Sequence, residues 1–243
     1  MTEILVNSFI ELITVFETLK ESKSYIFRGQ ANSSWELVPK TGRREYKNSF
    51  TPSYSEKEVF ESWKRYAKHY ISKEPVNDWD WLALAQHHGL ATRLLDWTKS
   101  PLIAAYFAVS SEDLFDSSIY YFSIKNTFTP LGDDPYQFKG FNIYFPNGIS
   151  ARIVSQRGVF TINGTPDMPI ENMLKKELFK IVINKHCKRD ILKSLEFLGI
   201  NKLSIYQDLT SLSGYLNEYI LRTQVFKDII PEQGIVFNET PMG

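Results

Sequence analysis

The chain has 243 residues, of which 43% are hydrophobic and 14% aromatic against 23% charged, a balance that suits a folded domain and excludes wholesale disorder. Lysine and arginine number 28, as do aspartate and glutamate, so no global field draws the chain to polyanions and only a local basic face could do so. No apolar run approaches the ~20 residues of a membrane span, and Met1 to Leu5 lack a basic-then-apolar leader, so the expectation is a cytoplasmic protein with no membrane partner.

The single cysteine, Cys187, excludes an intrachain disulfide. No Cys–His ligand spacing surrounds it, which makes it a small helix residue and leaves no metal site to expect.

Ser8-Phe9-Ile10-Glu11 has the form of a capping box, and Leu12, Ile13, Phe16 and Leu19 line one face of the helix it would start. Ser24 to Gly29 reads as a short strand ending at glycine. Gln30 to about Ser55 is rich in Asn, Ser, Pro, Gly and Arg and reads as a long surface loop. Phe60, Trp63, Ala67 and Tyr70 recur at helical spacing. A further helix runs from Trp79 to His88, with Gly89 suited to the left-handed position past its end. Ser100-Pro101 opens the next, whose body LIAAYFAV is apolar enough to be buried.

The second half changes character. SIYYFSI (Ser118 to Ile124), ARIVSQRGVFTI (Ala151 to Ile162) and LFKIVIN (Leu178 to Asn184) carry the β-branched and aromatic residues of strands. Asp190 to Leu198 is a helix stopped by Gly199, and Leu209, Leu212, Leu216 and Tyr219 mark a last one. One α+β domain over residues 1–243 accounts for this order, with helices mostly in the N-terminal half and a mixed or antiparallel sheet.

The chemistry-bearing residues gather in QHHGLATRLLDW, Gln86 to Trp97. His87 and His88 point about 100° apart on a helix, so one of them, His88, is the candidate to face a pocket as proton donor or ligand contact. The alternative is a polar helix end, where imidazole suits the C-terminal dipole. Arg93 and Asp96 lie one turn apart if helical and can pair locally. Trp97 is either core or a stacking platform for a planar ligand. Arg28, at a strand end before Gly29, can clamp a carboxylate or phosphate, with Gly29 letting a ligand approach the backbone. Gln156 and Arg157 before Gly158 pose the same choice. No Gly-rich phosphate loop, Gly-x-Ser-x-Gly or framed carboxylate pair occurs.

Phe27-Arg28-Gly29-Gln30, Trp35-x-Leu37-x-Pro39, the stretch from Trp81 to Val109 and Arg152 to Phe160 together resemble the FRG domain, over about residues 20 to 165 with signature motifs in 25–160. One departure stands out: family members commonly carry proline where this chain has Ala91. The resemblance implies a bacterial or phage-associated protein linked to mobile or defence genes. It lends no reaction.

A more distant similarity does. Arg28-Gly29 and DWTKSPLIAAYFA are similar in kind and order to motifs of ADP-ribosyltransferases, which implies NAD as substrate and an ADP-ribosyltransferase-like fold. In that reading Arg28 binds the dinucleotide with Gly29 and Trp97 alongside, and His88 or Thr98 contacts a ribose. Asp96 orients Arg93, and Gln156 meets the nicotinamide ribose. Glu232 and Glu239 are the carboxylate fallbacks, since Gln156 carries no negative charge. The rivals are a nucleotide or nucleic-acid binding module using Arg28, Arg43, Arg44, Arg93 and Arg157, and a hydrolase or nuclease using His88 and Asp96. An unidentified macromolecular target is implied by transfer chemistry, its choice lying in loops such as Ala31 to Ser55 and Pro130 to Gly140.

Overall fold

The computed structural model describes residues 2–20, 24–51, 53–111, 114–124, 131–148 and 150–225. In chain order they form β1 (Thr2–Val6), α1 (Phe9–Leu19), β2 (Tyr25–Gln30), the short α2 (Arg44–Lys47), α3 (Glu56–Ala67), α4 (Asp78–His87) and β3 (Leu94–Thr98). There follow α5 (Pro101–Val109), β4 (Ser117–Ser123), β5 (Phe141–Tyr144), α6 (Ala151–Ser155), β6 (Gly158–Asn163) and α7 (Ile170–Leu174). The chain continues through β7 (Phe179–Ile183), α8 (Lys188–Phe197), α9 (Lys202–Tyr206) and α10 (Leu209–Val225). The strands make one seven-stranded sheet in the order β1-β7-β4-β2-β3-β6-β5, parallel only between β1 and β7. This is a single α+β domain with a mixed sheet.

Helices are spread along the chain and are not concentrated in its first half. Two causes stand out. Thr2–Val6 is a strand although four of its five residues are exposed, because pairing with buried β7 makes it an edge. Leu94–Thr98 is a strand and not one turn of helix: Leu94 packs under α3 and α4 while Leu95 and Trp97 join the core on the opposite face, the period of two that a strand imposes. In the other direction, Ala151–Ser155 is a helix. Ser150 caps it by accepting from the Ile153 amide, and the strand begins only at Gly158.

Capping sets most of the other starts. The Ser8 hydroxyl accepts from Glu11 N, but the Glu11 carboxylate reaches Asn7 N and not Ser8 itself. Ser55 and Glu58 make a full reciprocal box at α3, while Asn77 caps α4 and Ser100 caps α5. Gly89 and Gly199 take the positive φ that follows α4 and α8.

Three apolar clusters fix these elements. Leu12, Phe16, Ala104, Ala108 and Ile191 of α1, α5 and α8 pack on Phe27, Ile119, Tyr121 and Ile181. Phe60, Trp81, Leu82 and Ala85 of α3 and α4 cover Leu94, Phe160 and Ile162. On the reverse face Leu37, Ile170 and Leu174 cap Ile26, Leu95, Trp97 and Phe122. Each leucine, isoleucine or phenylalanine among them contributes about 1.5–3 kcal/mol by leaving water. The sole cysteine, Cys187, is buried beside Val6 at the start of α8. Among the described residues no helix is long and apolar enough to cross a membrane.

Gly29 has a structural task. A Cβ there would lie 1.9 Å from the Ala104 carbonyl oxygen and 2.7 Å from Ala108 N, so α5 rests directly on the β2 backbone. The glycine makes room for a helix, not for a ligand. Gly29→Ala should therefore destabilise by more than about 3 kcal/mol, since α5 must move as a unit. Gly89→Ala meets no atom within 4 Å but carries φ +91°, and should cost about 1 kcal/mol. Urea unfolding of the two variants checks the order.

Candidate functional site

Neighbours in the sheet, β2 and β3 nevertheless share a single pair, Phe27 with Thr98. β2 runs in full register with β4, and β3 with β6. The two strands part beyond that pair, and the opening floors a cleft of about 1320 Å³. The loop from Gln30 to Glu45 forms one wall, the end of α4 with Gln86, His87 and His88 another, and Arg152 and Gln156 of the α6 region a third.

Arg28 closes the floor. Its Nη1 donates to the Asp96 carbonyl at 2.7 Å and lies 3.9 Å from that residue's Oδ2, with the side chain only 16% exposed. Burial pulls the guanidinium below its ordinary pKa, Asp96 opposes this, and Arg43 adds to the depression. Arginine stays charged regardless.

The Asp96 side chain, 57% exposed, faces the cleft. Its Oδ2 accepts from Gln86 Nε2 at 2.8 Å, while Gln86 Oε1 accepts from the Thr92 hydroxyl at 2.7 Å. Thr92 Oγ1 in turn accepts from Leu94 N. The chain of bonds fixes which end of the Gln86 amide meets the carboxylate.

Thr98 is buried. Its hydroxyl donates to the Gln156 carbonyl at 2.6 Å and accepts from Ser100 N, so it ties α6 and α5 to the strand split. Gln156 is thereby held at the cleft with its Nε2 buried and lacking a partner. The same holds for Arg28 Nε, Arg152 Nε and Gln30 Oε1, all on residues that line the cleft. An unmatched buried polar group costs about 1–3 kcal/mol, and four around one opening suit a polar ligand. Three of the four are donors, two of them on cations.

His88 caps α4 through its backbone and is exposed, its ring 6.5 Å from Trp63. His87 is half-buried, and burial first, then Arg152 and His88, lowers its pKa to about 4. At neutral pH it is uncharged.

The cleft thus brings together Arg28, Gly29, His88, Asp96, Trp97, Thr98 and Gln156 but not Arg93. Arg93 points away and makes a bidentate pair with Glu56 at 2.7 and 3.1 Å, donates to the Pro135 carbonyl and lies over the Tyr136 ring. The local Arg93–Asp96 pair does not form, because a strand sends residues three apart to opposite faces. Asp96 therefore orients nothing in Arg93. Trp97 is 3% exposed, with its indole N–H on Thr161, so it is core and offers no stacking face. Arg157 has φ +48°, is exposed and does not line the cleft. Glu232, Glu239 and Pro130 lie outside the described residues.

Trp35, named in the sequence reading only as a motif residue, is 52% exposed on the cleft wall, which Lys40, Arg43 and Arg44 also line. That reading also gave no site role to Gln30, Gln86 and Arg152, which it named only as motif residues. A Trp inside a polar loop is a signal that could have been used, since loops rarely spend an indole without a partner. Among the described residues no group of His, Cys, Asp or Glu stands ready to hold a metal ion.

Residues 23–117 match the family model of the FRG domain. The chain carries an FRG domain. No curated protein and no solved structure gives a significant match to the chain. The likeness to ADP-ribosyltransferases therefore has no structural neighbour behind it. The FRG segment supplies Arg28, Trp35, Gln86, His88 and Asp96, and stops before Arg152 and Gln156. One wall of the cleft thus comes from chain beyond the matched FRG segment.

Two outcomes are expected. Arg93 and Glu56 are 11% and 12% exposed, so Arg93→Ala should lose about 3–5 kcal/mol by stranding a buried carboxylate. Replacing both with methionine should cost less than either single truncation, as read by chemical denaturation. In an NMR titration His87 should change charge near pH 4. Its folded pKa lies below the unfolded value near 6.5, so its contribution is complete above that pH. It is lost as pH falls from about 6.5 toward 4, because the unfolded chain takes up the proton first. His87→Gln should flatten that part of the stability profile.

Proposed function

We infer that the cleft binds a dinucleotide of the NAD type and breaks its nicotinamide–ribose bond, passing ADP-ribose to water or to a macromolecular acceptor. What carries the reading is the set of unpartnered donors Arg28 Nε, Arg152 Nε and Gln156 Nε2 around the strand split. Arg152 and Gln156 are four residues apart, hence on one side of α6 and its cap. Thr98 ties that cap to the pair where β2 and β3 separate, next to Arg28. Donors on two cations and an amide suit a diphosphate. Exposed Trp35 offers a stacking face for a base, and Lys40, Arg43 and Arg44 add positive charge beside it.

The chemistry needs negative charge near C1 of the ribose as the glycosidic bond ionises. The bonding pair leaves with nicotinamide, and the incoming nucleophile gives up a proton. Asp96 supplies that charge in this reading. It is a carboxylate on the cleft floor, aimed by Gln86, and it takes the part that Gln156 cannot. Gln156 is left as a ligand contact through its amide.

Asp96 also supports a second reading, nucleotide binding without turnover, since its Oδ2 is already engaged by Gln86 and lies near Arg28. The hydrolase reading has less behind it, because no hydrogen bond joins His88 to Asp96 among the described residues.

Calorimetry with NAD, ADP and nicotinamide should give binding of the first two and little of the third. Incubation with NAD should release nicotinamide, detected by mass spectrometry. Arg28→Ala should weaken NAD binding at least tenfold, with its fold checked by circular dichroism. Asp96→Asn should keep binding and lose most turnover. If Asp96→Asn releases nicotinamide at the original rate, the carboxylate has no catalytic part. Binding of NAD with no release moves the conclusion to a nucleotide module.

A further inference from the structure

On the far side of α5 a second groove of about 1060 Å³ runs between α5, α8, α9 and α10. It belongs to no part of the site described above. Among the described residues that line it, Lys185, Arg189, Lys193 and Lys202 are the exposed cations, and Glu196 and Glu218 are the carboxylates. Among the described lining residues, positive charge therefore exceeds negative, in a chain of zero formal charge. Lys193 also sits 3.6 Å from Asp190, an exposed pair that a stronger anion displaces at little cost.

Aromatic rings lie among these cations. Tyr215, 37% exposed, comes from the groove side of α10. Half-buried Tyr206 forms the wall at the other end, held by Arg152 at 4.3 Å and edge-on to Phe107 at 6.3 Å. The guanidinium over the ring and the edge contact with Phe107 fix the orientation of Tyr206. Tyr106 lines the groove, and burial raises its hydroxyl to about 12, so it stays protonated and adds no negative charge.

Positive side chains that track a backbone, interleaved with rings that stack bases, are the two requirements of single-strand recognition. An acidic peptide would use the cations but leave the rings without planar partners. A duplex would leave its bases out of reach of rings set inside a groove. We propose that the groove between α5, α8, α9 and α10 binds single-stranded nucleic acid, phosphates on Lys185, Arg189, Lys193 and Lys202, bases on Tyr206 and Tyr215. None of these residues lines the first cleft, although Arg152, which does, lies over the Tyr206 ring.

The test is fluorescence anisotropy of the full chain with labelled oligo-U and oligo-dT of about a dozen nucleotides, from about 50 to 200 mM salt. With four phosphate contacts the log–log salt slope should approach about −2.8, at about −0.7 per contact. Arg189→Glu with Lys202→Glu removes two contacts. Both positions lie in the first turn of their helices, where glutamate is tolerated. This variant should bind at least tenfold more weakly and lose about 1.4 from the slope. Tyr215→Ala should weaken binding about tenfold or more with little change in slope. Preference for oligo-U or oligo-dT separates RNA from DNA as the source. Arg28→Ala, which strikes the first cleft, should leave oligonucleotide binding intact. The proposal is overturned if neither oligomer binds, if the folded double variant binds as before, or if Arg28→Ala alone abolishes binding. Tighter binding of polyglutamate than of either oligomer overturns it too, in favour of an acidic protein partner.

Discussion

Everything at the first cleft depends on one hydrogen bond, from Arg28 Nη1 to the Asp96 carbonyl. Two neighbouring strands that part after a single pair leave backbone groups with no ladder partner, and such groups must be satisfied or exposed. A guanidinium meets this need from a neighbouring strand with charge to spare, because only one of its five donors is used there. The bond holds the split open at a fixed width. It also sets a cation on the cleft floor that protein groups neutralise only in part, since the nearest carboxylate oxygen lies 3.9 Å away.

The surrounding residues repeat that division between support and availability. Thr98 and Thr92 spend their hydroxyls wholly on the protein, one tying the Gln156 carbonyl to the sheet and the other turning the Gln86 amide. Gln156, and Asp96 beyond the Gln86 amide, then present groups to the cleft. Arg93, in the middle of the most conspicuous sequence motif, is entirely on the support side. Its guanidinium is consumed by Glu56, Pro135 and the Tyr136 ring, which anchor α3 and the segment near Tyr136 behind β3. A conspicuous arginine is thus no guide to function until its partners are known.

How far the residues alone revealed this can be argued from particular elements. Helices α1 and α3 were legible from apolar residues at 3.6-residue spacing, and α4, α5 and α8 from their end signals, as at Ser100-Pro101 and at Gly199. β4 and β7 were legible as β-branched and aromatic runs. Leu94–Thr98 was not, since five residues with a central aspartate fit a helical turn equally well until the sheet on either side is known. Ala151–Ser155 was misread because Ile153 and Val154 favour strands, whereas a serine cap and packing of Ile153 under α4 decide otherwise. At the site, local motifs located Arg28, His88, Asp96 and Gln156. They could not give Arg93's partner 37 residues away, nor the Trp35 wall, because both depend on contacts between distant segments.

Lys188 is 4% exposed, and its ammonium donates to the carbonyls of Ala31 and Phe115. Ala31 begins the loop that walls the first cleft, and Lys188 is the first residue of the helix that walls the second groove. One side chain therefore acts as a strut between the loop that walls the first cleft and the helix that walls the second groove. If a ligand at one surface orders its end of the strut, less entropy is left to lose at the other. Reciprocity then requires that whatever factor one ligand applies to the second ligand's affinity, the second returns to the first.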